Sequence, residues 1–319
     1  MVRSKIAIIL AATTLLAACG GGEPAADSKD GPQTTKITVG VIPILDVAPI
    51  YLGVQKGFFA NRGLDVKLES AQGGAAIVPA VLSGQYQFGF SNNTSLLIGQ
   101  TKGLPLKIVA PGSSSTSTPG KDFAGVVVPA DSPIKTAADL AGKSVAINTL
   151  NNISDTVVRE AVRKAGGDPA SIKFVELPFP DMPAAVTSHR VDAAFVVEPF
   201  LTIATQQKAR DVASAYAEAT QNLSVATYFT SEQLTKTKPE LVRAFSEAMV
   251  ESQKYASDHP DEARQILTTY TKISPELISS LTLPLYPAEI NRQSVQALAD
   301  MAVRDKLIAQ APDVSALFS

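Results

Sequence analysis

From residue 36 onward the chain alternates short β-branched runs with segments of helical periodicity, and this alternation constrains the fold more than any other feature. Strands are predicted at 36–41, 64–68, 88–90 and 106–110. Helices are predicted between them at 49–59, 75–82 and 94–102. A βαβα order of this kind predicts a mainly parallel sheet that is covered by helices.

The same alternation begins again after a passage rich in serine, threonine and proline at 113–119. Further strands are predicted at 126–128, 143–147, 172–176, 193–197 and 224–229, and helices at 154–165 and 181–189. The remainder predicts helices at 238–257, 261–268, 275–281 and 287–306. A restart of the alternation predicts a second lobe, so the fold class is α/β with two lobes.

The first residues of the chain predict export. Arg3 and Lys5 accompany an uncharged apolar stretch at 6–12, which is shorter than the roughly 20 residues that cross a membrane. Small residues then lead to Cys19, as in a cleaved signal peptide. The order Leu-Ala-Ala-Cys resembles the lipobox of bacterial lipoproteins, which implies that Cys19 carries a diacylglycerol. We therefore expect a signal peptide at 1–18 and a protein that is lipid-anchored on the extracytoplasmic face of the cell membrane.

Composition limits the partners of the mature chain. Residues 19–35 are rich in glycine, proline and charge and predict a flexible tether. The chain carries 28 lysines and arginines against 30 aspartates and glutamates, so loss of Arg3 and Lys5 leaves 26 minus 30, or −4. This mild acidity argues against a nucleic-acid partner. About 280 residues remain for folding, which is enough for two lobes with their own cores.

Polar loops follow the predicted strands of both lobes. In open α/β sheets, ligands bind outside the carboxyl ends of the strands, where helix N-termini offer free N–H groups. The loops of interest lie at 43–49, 71–74, 91–94, 148–152, 178–181 and 198–200. Taken singly, residues such as Ser91, Asn92 and Asn152 are typical helix caps. Their recurrence at strand ends predicts a small-ligand site between the lobes, where Gly73 and Gly74 allow a close backbone approach.

Several short segments together resemble a known family. They are Gln-Lys-Gly-Phe-Phe at 55–59, Gly-Leu-Asp-Val at 63–66, Asp-Leu-Ala-Gly-Lys at 139–143, and Val-Asp-Ala-Ala at 191–194 with Glu-Pro-Phe at 198–200. In this order they resemble the substrate-binding proteins of ABC importers for nitrate, sulfonates, taurine and thiamine-pyrimidine precursors. The resemblance implies a two-lobed type II periplasmic-binding-protein fold, in which each lobe is a mainly parallel sheet flanked by helices and the chain makes two hinge crossovers.

The family pattern also implies the lobes, the site and the partners. Lobe I would comprise 36–123 and 226–319, and lobe II 124–225. Ligand-binding residues carry over by this pattern to Asp46, Ala48, Gly73, Gly74, Ser91, Asn92, Asn93, Asn148, Asn152, Asp181 and Glu198. The implied partners are a small-molecule solute, an ABC permease and its ATPase. The protein is expected to be a monomer without a cofactor, a metal or a catalytic residue.

The chemistry of the solute stays open at this point. Helix N-termini favour an anion such as a sulfonate, nitrate, taurine or a carboxylate without any lysine. Asp46 and Glu198 instead suit an amine or an aminopyrimidine through charge-assisted hydrogen bonds. Alternatively, Glu198 caps the helix that follows it and Asp46 braces its own loop. Aromatic contacts are expected from Phe179, Phe200 and Tyr228, since the chain has no tryptophan.

Two other classes of function are compatible with this fold. A thiamine-pyrimidine synthase of the same superfamily would need lysine-bound pyridoxal phosphate, a histidine and cysteines. Here His189 and His259 lie off the strand-end loops, and Cys19 is committed to lipid. The sequence has no Gly-x-Ser-x-Gly elbow, phosphate loop or His/Cys metal cluster. A sensor or adhesion lipoprotein would keep the cleft without the importer. The expected function is capture of a small polar organic solute for import.

Overall fold

The computed structural model describes residues 34–318, and within that range the strands form two five-stranded sheets. The first sheet contains β1 (Thr35–Val41), β2 (Leu64–Ser70), β3 (Phe88–Asn92), β4 (Leu106–Pro111) and β10 (Ala226–Ser231), in the order β2-β1-β3-β10-β4. The second sheet contains β5 (Ala124–Val128), β6 (Ser144–Ile147), β7 (Lys173–Glu176), β8 (Ala193–Val197) and β9 (Arg210–Ala213), in the order β7-β6-β8-β5-β9.

Both sheets are mainly parallel. In the first, β1 pairs in parallel with β2 and β3, whereas β10 runs antiparallel to β3 and β4. In the second, β6 pairs in parallel with β7 and β8, whereas β5 runs antiparallel to β8 and β9. Each sheet therefore has one reversed strand among five, which confirms the predicted sheet type.

Helices connect the strands and cover the sheets. The first sheet is joined by α1 (Ala48–Gln55), α2 (Gly74–Leu82) and α3 (Asn93–Thr101). The second is joined by α4 (Ile153–Lys164), α5 (Met182–Thr187), α6 (Phe200–Gln206) and α7 (Ala215–Ala219). The last strand is followed by α8 (Glu232–Thr237), α9 (Pro239–Asp258), α10 (Pro260–Gln265) and α11 (Arg292–Arg304). Phe245 of α9 stacks on Phe88 of β3 with 3.8 Å between ring centroids, which packs α9 onto the first sheet.

Two predicted helices differ from the structure. The segment predicted as a helix at 275–281 forms a 3-10 turn at Pro275–Ser280. The helix predicted at 287–306 begins only at Arg292, because Asn291 caps it by accepting a backbone hydrogen bond in the first turn.

Three elements have no counterpart in the sequence-based prediction, namely β9, α7 and α8. β9 begins with Arg210 and Asp211, so it lacks the apolar run that marks an ordinary buried strand. α7 and α8 have five and six residues, which is too short for a helical period to be read.

The chain crosses between the sheets twice. It passes from β4 to β5 through 112–123 and returns from β9 to β10 through 214–225, which includes α7. The two crossover segments lie side by side, since Ser114 and Ser224 form an antiparallel bridge. Two crossovers agree with the expected topology, whereas the lobe limits given above remain predictions.

Residues 1–33 and Ser319 lie outside the described part of the chain. The predicted signal peptide, the lipidation of Cys19 and most of the predicted tether fall there and remain predictions. Over residues 34–318, no helix has both the length and the apolar character needed to cross a membrane.

Candidate functional site

The carboxyl ends of strands from both sheets enclose a narrow cavity of about 30 Å³, which we call the inner cavity. Asp46 follows β1 and Asn92 ends β3 in the first sheet, whereas Asn148 follows β6 and Asn152 caps α4 in the second. The structure thus brings these predicted site residues together at one cavity. The other lining residues are Ile42, Ile44, Phe90, Ile153, Ser154, Phe179, Val197, Tyr216, Val225 and Ala226.

Asp46 is the one acidic residue that lines the inner cavity within the described part of the chain. Only 2% of the residue is exposed, and its Oδ1 accepts a hydrogen bond from Ser113 Oγ at 2.6 Å. Its Oδ2 has no hydrogen-bond partner among the described residues. Burial raises the pKa of the carboxyl to about 7, although the bond from Ser113 acts in the opposite direction. Oδ2 of Asp46 is therefore a buried oxygen without a hydrogen-bond partner, on a carboxyl whose protonation changes near neutral pH.

Three asparagine side chains border the same cavity. Asn92 caps α3 by accepting from the N–H of Ser95 at 2.9 Å. Asn152 caps α4 and also donates to Asn148 Oδ1 at 2.9 Å, while Asn148 donates to the carbonyl of Gln72 at 3.4 Å across the two sheets. Asn92 and Asn152 thus cap helices, and the capping bonds hold their amide groups at the wall of the inner cavity.

Gly73 and Gly74 allow two close approaches. A Cβ on Gly74 would lie 1.9 Å from the hydroxyl of Ser91, so the buried Ser91 lies directly behind the start of α2. A Cβ on Gly73 would lie 2.9 Å from Thr149 Oγ1, which belongs to the loop after β6 in the second sheet. Gly73 therefore permits contact between the sheets, whereas Gly74 permits packing within the first sheet.

Like Gly73, Gly74 and Ser91, four further predicted site residues line neither cavity, namely Asn93, Ala48, Asp181 and Glu198. Asn93 donates to the carbonyl of Ser224 at 2.8 Å and accepts from Thr227 Oγ1 at 2.8 Å, so its buried amide braces the second crossover. Ala48 is the buried first residue of α1 and packs in an apolar cluster formed with the C-terminal part of the chain. Asp181 is exposed and makes no side-chain capping bond to α5.

Glu198 follows β8 and acts as a brace. Its Oε2 accepts from the N–H of Thr202 at 3.1 Å, and its Oε1 accepts from Thr202 Oγ1 at 2.8 Å and from the N–H of Thr282 at 3.1 Å. The carbonyl of Glu198 also accepts from the N–H of Leu45 at 3.0 Å. Burial raises the pKa of the carboxyl to about 7 despite these hydrogen bonds. Glu198 thus bonds the first turn of α6, as in the capping alternative, and it also joins the second sheet to segments of the first.

A larger outer cavity of about 260 Å³ adjoins the inner cavity and shares Ile42, Ile44 and Phe179 with it. Its other lining residues are Pro43, Ser70, Ala71, Gln72, Pro178, Pro180 and Phe200. The rings of Phe179 and Phe200 lie nearly parallel, with 6.1 Å between centroids and 9° between planes. Tyr228, which was expected near the cleft, is fully buried and lines neither cavity. No described lysine or arginine lines either cavity.

Sequence reasoning missed the residues that come from outside the strand-end loops. Ser113, the partner of Asp46, lies in the Ser/Thr/Pro-rich passage, whose composition is typical of a connecting segment. Tyr216, which lines the inner cavity, lies in α7, a helix that was not predicted. Ile44 lies in the predicted loop 43–49 without having been singled out, and Ile42 directly precedes that loop. Over the described range, no three residues among histidine, cysteine, aspartate and glutamate are placed to hold a metal ion.

Comparison with known proteins gives three further findings. Residues 45–263 match the family described as NMT1/THI5 like. The formylaminopyrimidine-binding protein of Halalkalibacterium halodurans is 22% identical over 270 residues, which cover 83% of this chain and 78% of that protein. The riboflavin-binding protein RibY of Chloroflexus aurantiacus is 25% identical over 252 residues, which cover 78% of this chain and 70% of that protein.

A solved structure identifies the fold. The alkanesulfonate-binding protein SsuA from Xanthomonas axonopodis pv. citri, bound to MOPS, superimposes with a TM-score of 0.75 at 17% sequence identity. The match covers 91% of this chain and 99% of that one, and it confirms the expected two-lobed periplasmic-binding fold. Because the family match at 45–263 spans more than half of the 319 residues, the chain belongs to the NMT1/THI5-like family.

Proposed function

We propose that this protein is the extracytoplasmic solute-binding component of an ABC importer, which captures a small organic solute between its two sheets and does no chemistry on it. Family membership, the fold and a cleft lined from both sheets support this function. His189 and His259 are exposed and line neither cavity, so the described site lacks the histidine that the related synthase would need.

We infer that the solute is a planar nitrogen heterocycle with N–H donors, of the aminopyrimidine type. The observation that carries this inference is the free Oδ2 of Asp46, in a cleft that no described lysine or arginine lines. A sulfonate, nitrate or carboxylate would have to bury its charge in a cleft that no described lysine or arginine lines, and where Asp46 is ionised it would meet a second negative charge, which is costly. An amino group or a protonated ring nitrogen would instead donate to Asp46.

The rest of the cleft supports the same choice. The amides of Asn92 and Asn148 border the inner cavity and can bond both donors and acceptors on a ring edge. Phe179 and Phe200 line the apolar outer cavity and can pack against the face of a ring. The two relatives are named for binding formylaminopyrimidine and riboflavin, both of which are nitrogen heterocycles. Their names agree with an aminopyrimidine-type solute rather than with a sulfonate, nitrate or carboxylate.

Thermal melting of the purified full chain tests this assignment. The probes are a 4-aminopyrimidine, riboflavin, taurine, MOPS and nitrate. A ligand that binds only the folded state at a hundred times its Kd adds about 2.7 kcal/mol, which raises Tm by several degrees. We expect a rise with a heterocycle, lost in Asp46→Asn and retained in the matched control Asp181→Asn. A rise only with the anions would overturn the ligand assignment, and no rise with any probe would overturn solute binding.

The membrane attachment is a separate part of the proposal. We propose that Cys19 carries a diacylglycerol, because the small residues before it form a lipobox, and lipid anchoring by two acyl chains is stable. Metabolic labelling with palmitate should mark the wild-type chain and leave Cys19→Ser unlabelled. Cys19→Ser should also move from the membrane fraction to the soluble fraction. A labelled Cys19→Ser variant would contradict this attachment.

A further inference from the structure

Four charged residues join the ends of two helices that cover different sheets. α4 follows β6 of the second sheet, whereas α11 belongs to the C-terminal part of the chain and packs against α3 of the first sheet. Glu160 of α4 pairs with Arg304 of α11, and Arg163 of α4 pairs with Asp305 directly after α11. Arg163 also pairs with Glu160 at 2.7 Å. We call these four residues the cross-sheet cluster.

The acidic members of the cross-sheet cluster are buried. The side chains of Glu160 and Asp305 are 8% and 6% exposed, whereas those of Arg163 and Arg304 are 29% and 44% exposed. A carboxylate that is removed from water needs a charged partner. Loss of Arg163 leaves Asp305 with only Arg304 at 3.9 Å, whereas loss of Arg304 leaves Glu160 paired within α4 to Arg163 and Lys164 and removes its link to α11. The cluster is thus a stronger link than the exposed ion pairs on the surface of α9, such as Arg243 with Glu240.

The inner cavity, where Asp46 lies, is too small for an organic solute while this link is closed. The inner cavity has a volume of about 30 Å³, far below the roughly 300–1,000 Å³ of pockets that hold organic ligands. Asn152 caps α4 at the cavity, and Arg163 lies near the other end of the same helix. A helix moves as a rigid unit, so withdrawal of Asn152 to admit a solute displaces Arg163 from Asp305. Opening of the cleft must therefore break ion pairs of the cross-sheet cluster.

We propose that the cross-sheet cluster is a clasp that sets the balance between open and closed forms without touching the solute. This inference rests on the proposed capture of a solute by closure. Weakening the clasp shifts the population towards the open form, and solute affinity falls by the same factor as the closed population. A change of about tenfold lies within the usual range of such couplings.

Pulsed dipolar spectroscopy on the full chain without solute tests the clasp. Cys19→Ser makes the introduced cysteines unique, and spin labels are attached at Asp65→Cys on β2 and Lys173→Cys on β7, both of which are exposed. The variants are Arg304→Gln, Glu160→Gln and the charge-retaining Arg304→Lys. Arg243→Gln is the matched control, because it removes the same charge from an exposed pair within α9.

We expect Arg304→Gln and Glu160→Gln each to shift the distribution of distances between the two spin labels away from that of the labelled protein with an intact cluster. The double variant should shift it no further than either single variant. Arg304→Lys should retain most of the original distribution, and Arg243→Gln all of it. Unchanged distributions in Arg304→Gln and Glu160→Gln would overturn the clasp, as would an equal shift in Arg243→Gln. If Arg304→Gln does not fold, Glu160→Gln and Arg304→Lys decide the outcome. No solute is present, so failure here leaves the thermal-melting test of solute binding unaffected.

Discussion

Ser113 donates a hydrogen bond from its Oγ to Asp46 Oδ1 at 2.6 Å, although 67 positions separate the two residues in sequence. Ser113 belongs to the first crossover, whereas Asp46 lines the inner cavity. The bond therefore connects the segment between the sheets to the carboxyl that is proposed to meet the solute. It also leaves Oδ2 as the free oxygen of Asp46.

Ser113→Ala should weaken solute binding, because it removes the side-chain donor that the structure gives to Asp46. The bond is already present without solute, so its loss should lower the free energy of unfolding by about 1.5–3 kcal/mol. The affinity for a heterocyclic probe should fall by less, because only the changed ionisation and orientation of Asp46 act on binding. Isothermal calorimetry measures this change. Ser115→Ala is the control, since Ser115 lies in the same crossover and bonds Asp122, which lines neither cavity. An equal loss in both variants would show that a loosened crossover, not Asp46, is responsible.

The solute-free protein should lose stability as the pH rises from about 4 to about 7. Burial raises the pKa of Asp46 from 3.8 and that of Glu198 from 4.5, each to about 7. Between these limits the folded protein keeps protons that the unfolded chain has released, so the free energy of unfolding falls with pH and then levels off. Each pH unit is worth about 1.4 kcal/mol per group.

Urea unfolding at several pH values checks this expectation. Burial also raises the pKa of Asp211, to about 6, so Asp46→Asn removes one of three carboxyls shifted this far and should flatten the decline by roughly a third. Asp181→Asn should leave the profile unchanged, because Asp181 is exposed. A free energy of unfolding that rises between pH 4 and pH 7 would contradict the assignment of these carboxyls.

Alanine should act differently at the two neighbouring glycines. Gly74→Ala places a Cβ 1.9 Å from the Ser91 hydroxyl within the first sheet, so it should destabilise the fold by about 1–3 kcal/mol. Gly73→Ala places a Cβ 2.9 Å from Thr149 Oγ1 of the second sheet. It should therefore leave the unfolding free energy nearly unchanged and weaken solute binding, because the contact exists only when the cleft is closed.

Chemical denaturation and calorimetry separate the two effects, and Thr149→Ala supplies the control. The double variant Gly73→Ala with Thr149→Ala should recover most of the lost affinity. If Gly73→Ala destabilised the solute-free protein as much as Gly74→Ala does, the contact between Gly73 and Thr149 would have to persist in every conformation.

Glu198→Gln should destabilise the protein by about 1–3 kcal/mol, because the new amide nitrogen cannot accept from Thr202 or Thr282 and one buried donor loses its partner. Thermal and urea unfolding measure the change. Glu240→Gln on the exposed surface of α9 is the matched control and should have almost no effect. A stability equal to that of the wild type would mean that Glu198 does not act as a brace.

The sheets followed closely from the sequence because each buried strand is a continuous β-branched or apolar run, as in β5 and β8, where every residue is buried. β9 could not be found this way, since Arg210 and Asp211 interrupt it. The segment at 275–281 shows the opposite case, because it was predicted as a helix but forms a six-residue 3-10 turn that ends at the extended Leu281.

The candidate site was only partly predictable. Asn92 and Asn152 were predicted to lie at the ligand site, and both line the inner cavity, because the helices that they cap begin at its wall. Asn93 carries the same signal, yet its side chain points to the second crossover and bonds Ser224. Adjacent residues at the end of a strand face opposite sides of the sheet, and sequence alone did not tell which side faces the cleft. Ser113 was missed because its partner is distant in sequence.

The paired crossovers restrict the relative motion of the two sheets when a solute binds. Ser114 of the first crossover and Ser224 of the second form a β-bridge, so the two crossovers lie next to each other. We therefore expect the two sheets to swing about this pair of crossovers, because a twist or a slide between them would break the bridge. Solutes of different shape would then change one quantity, the angle between the two sheets, and a membrane partner would distinguish them by that angle alone.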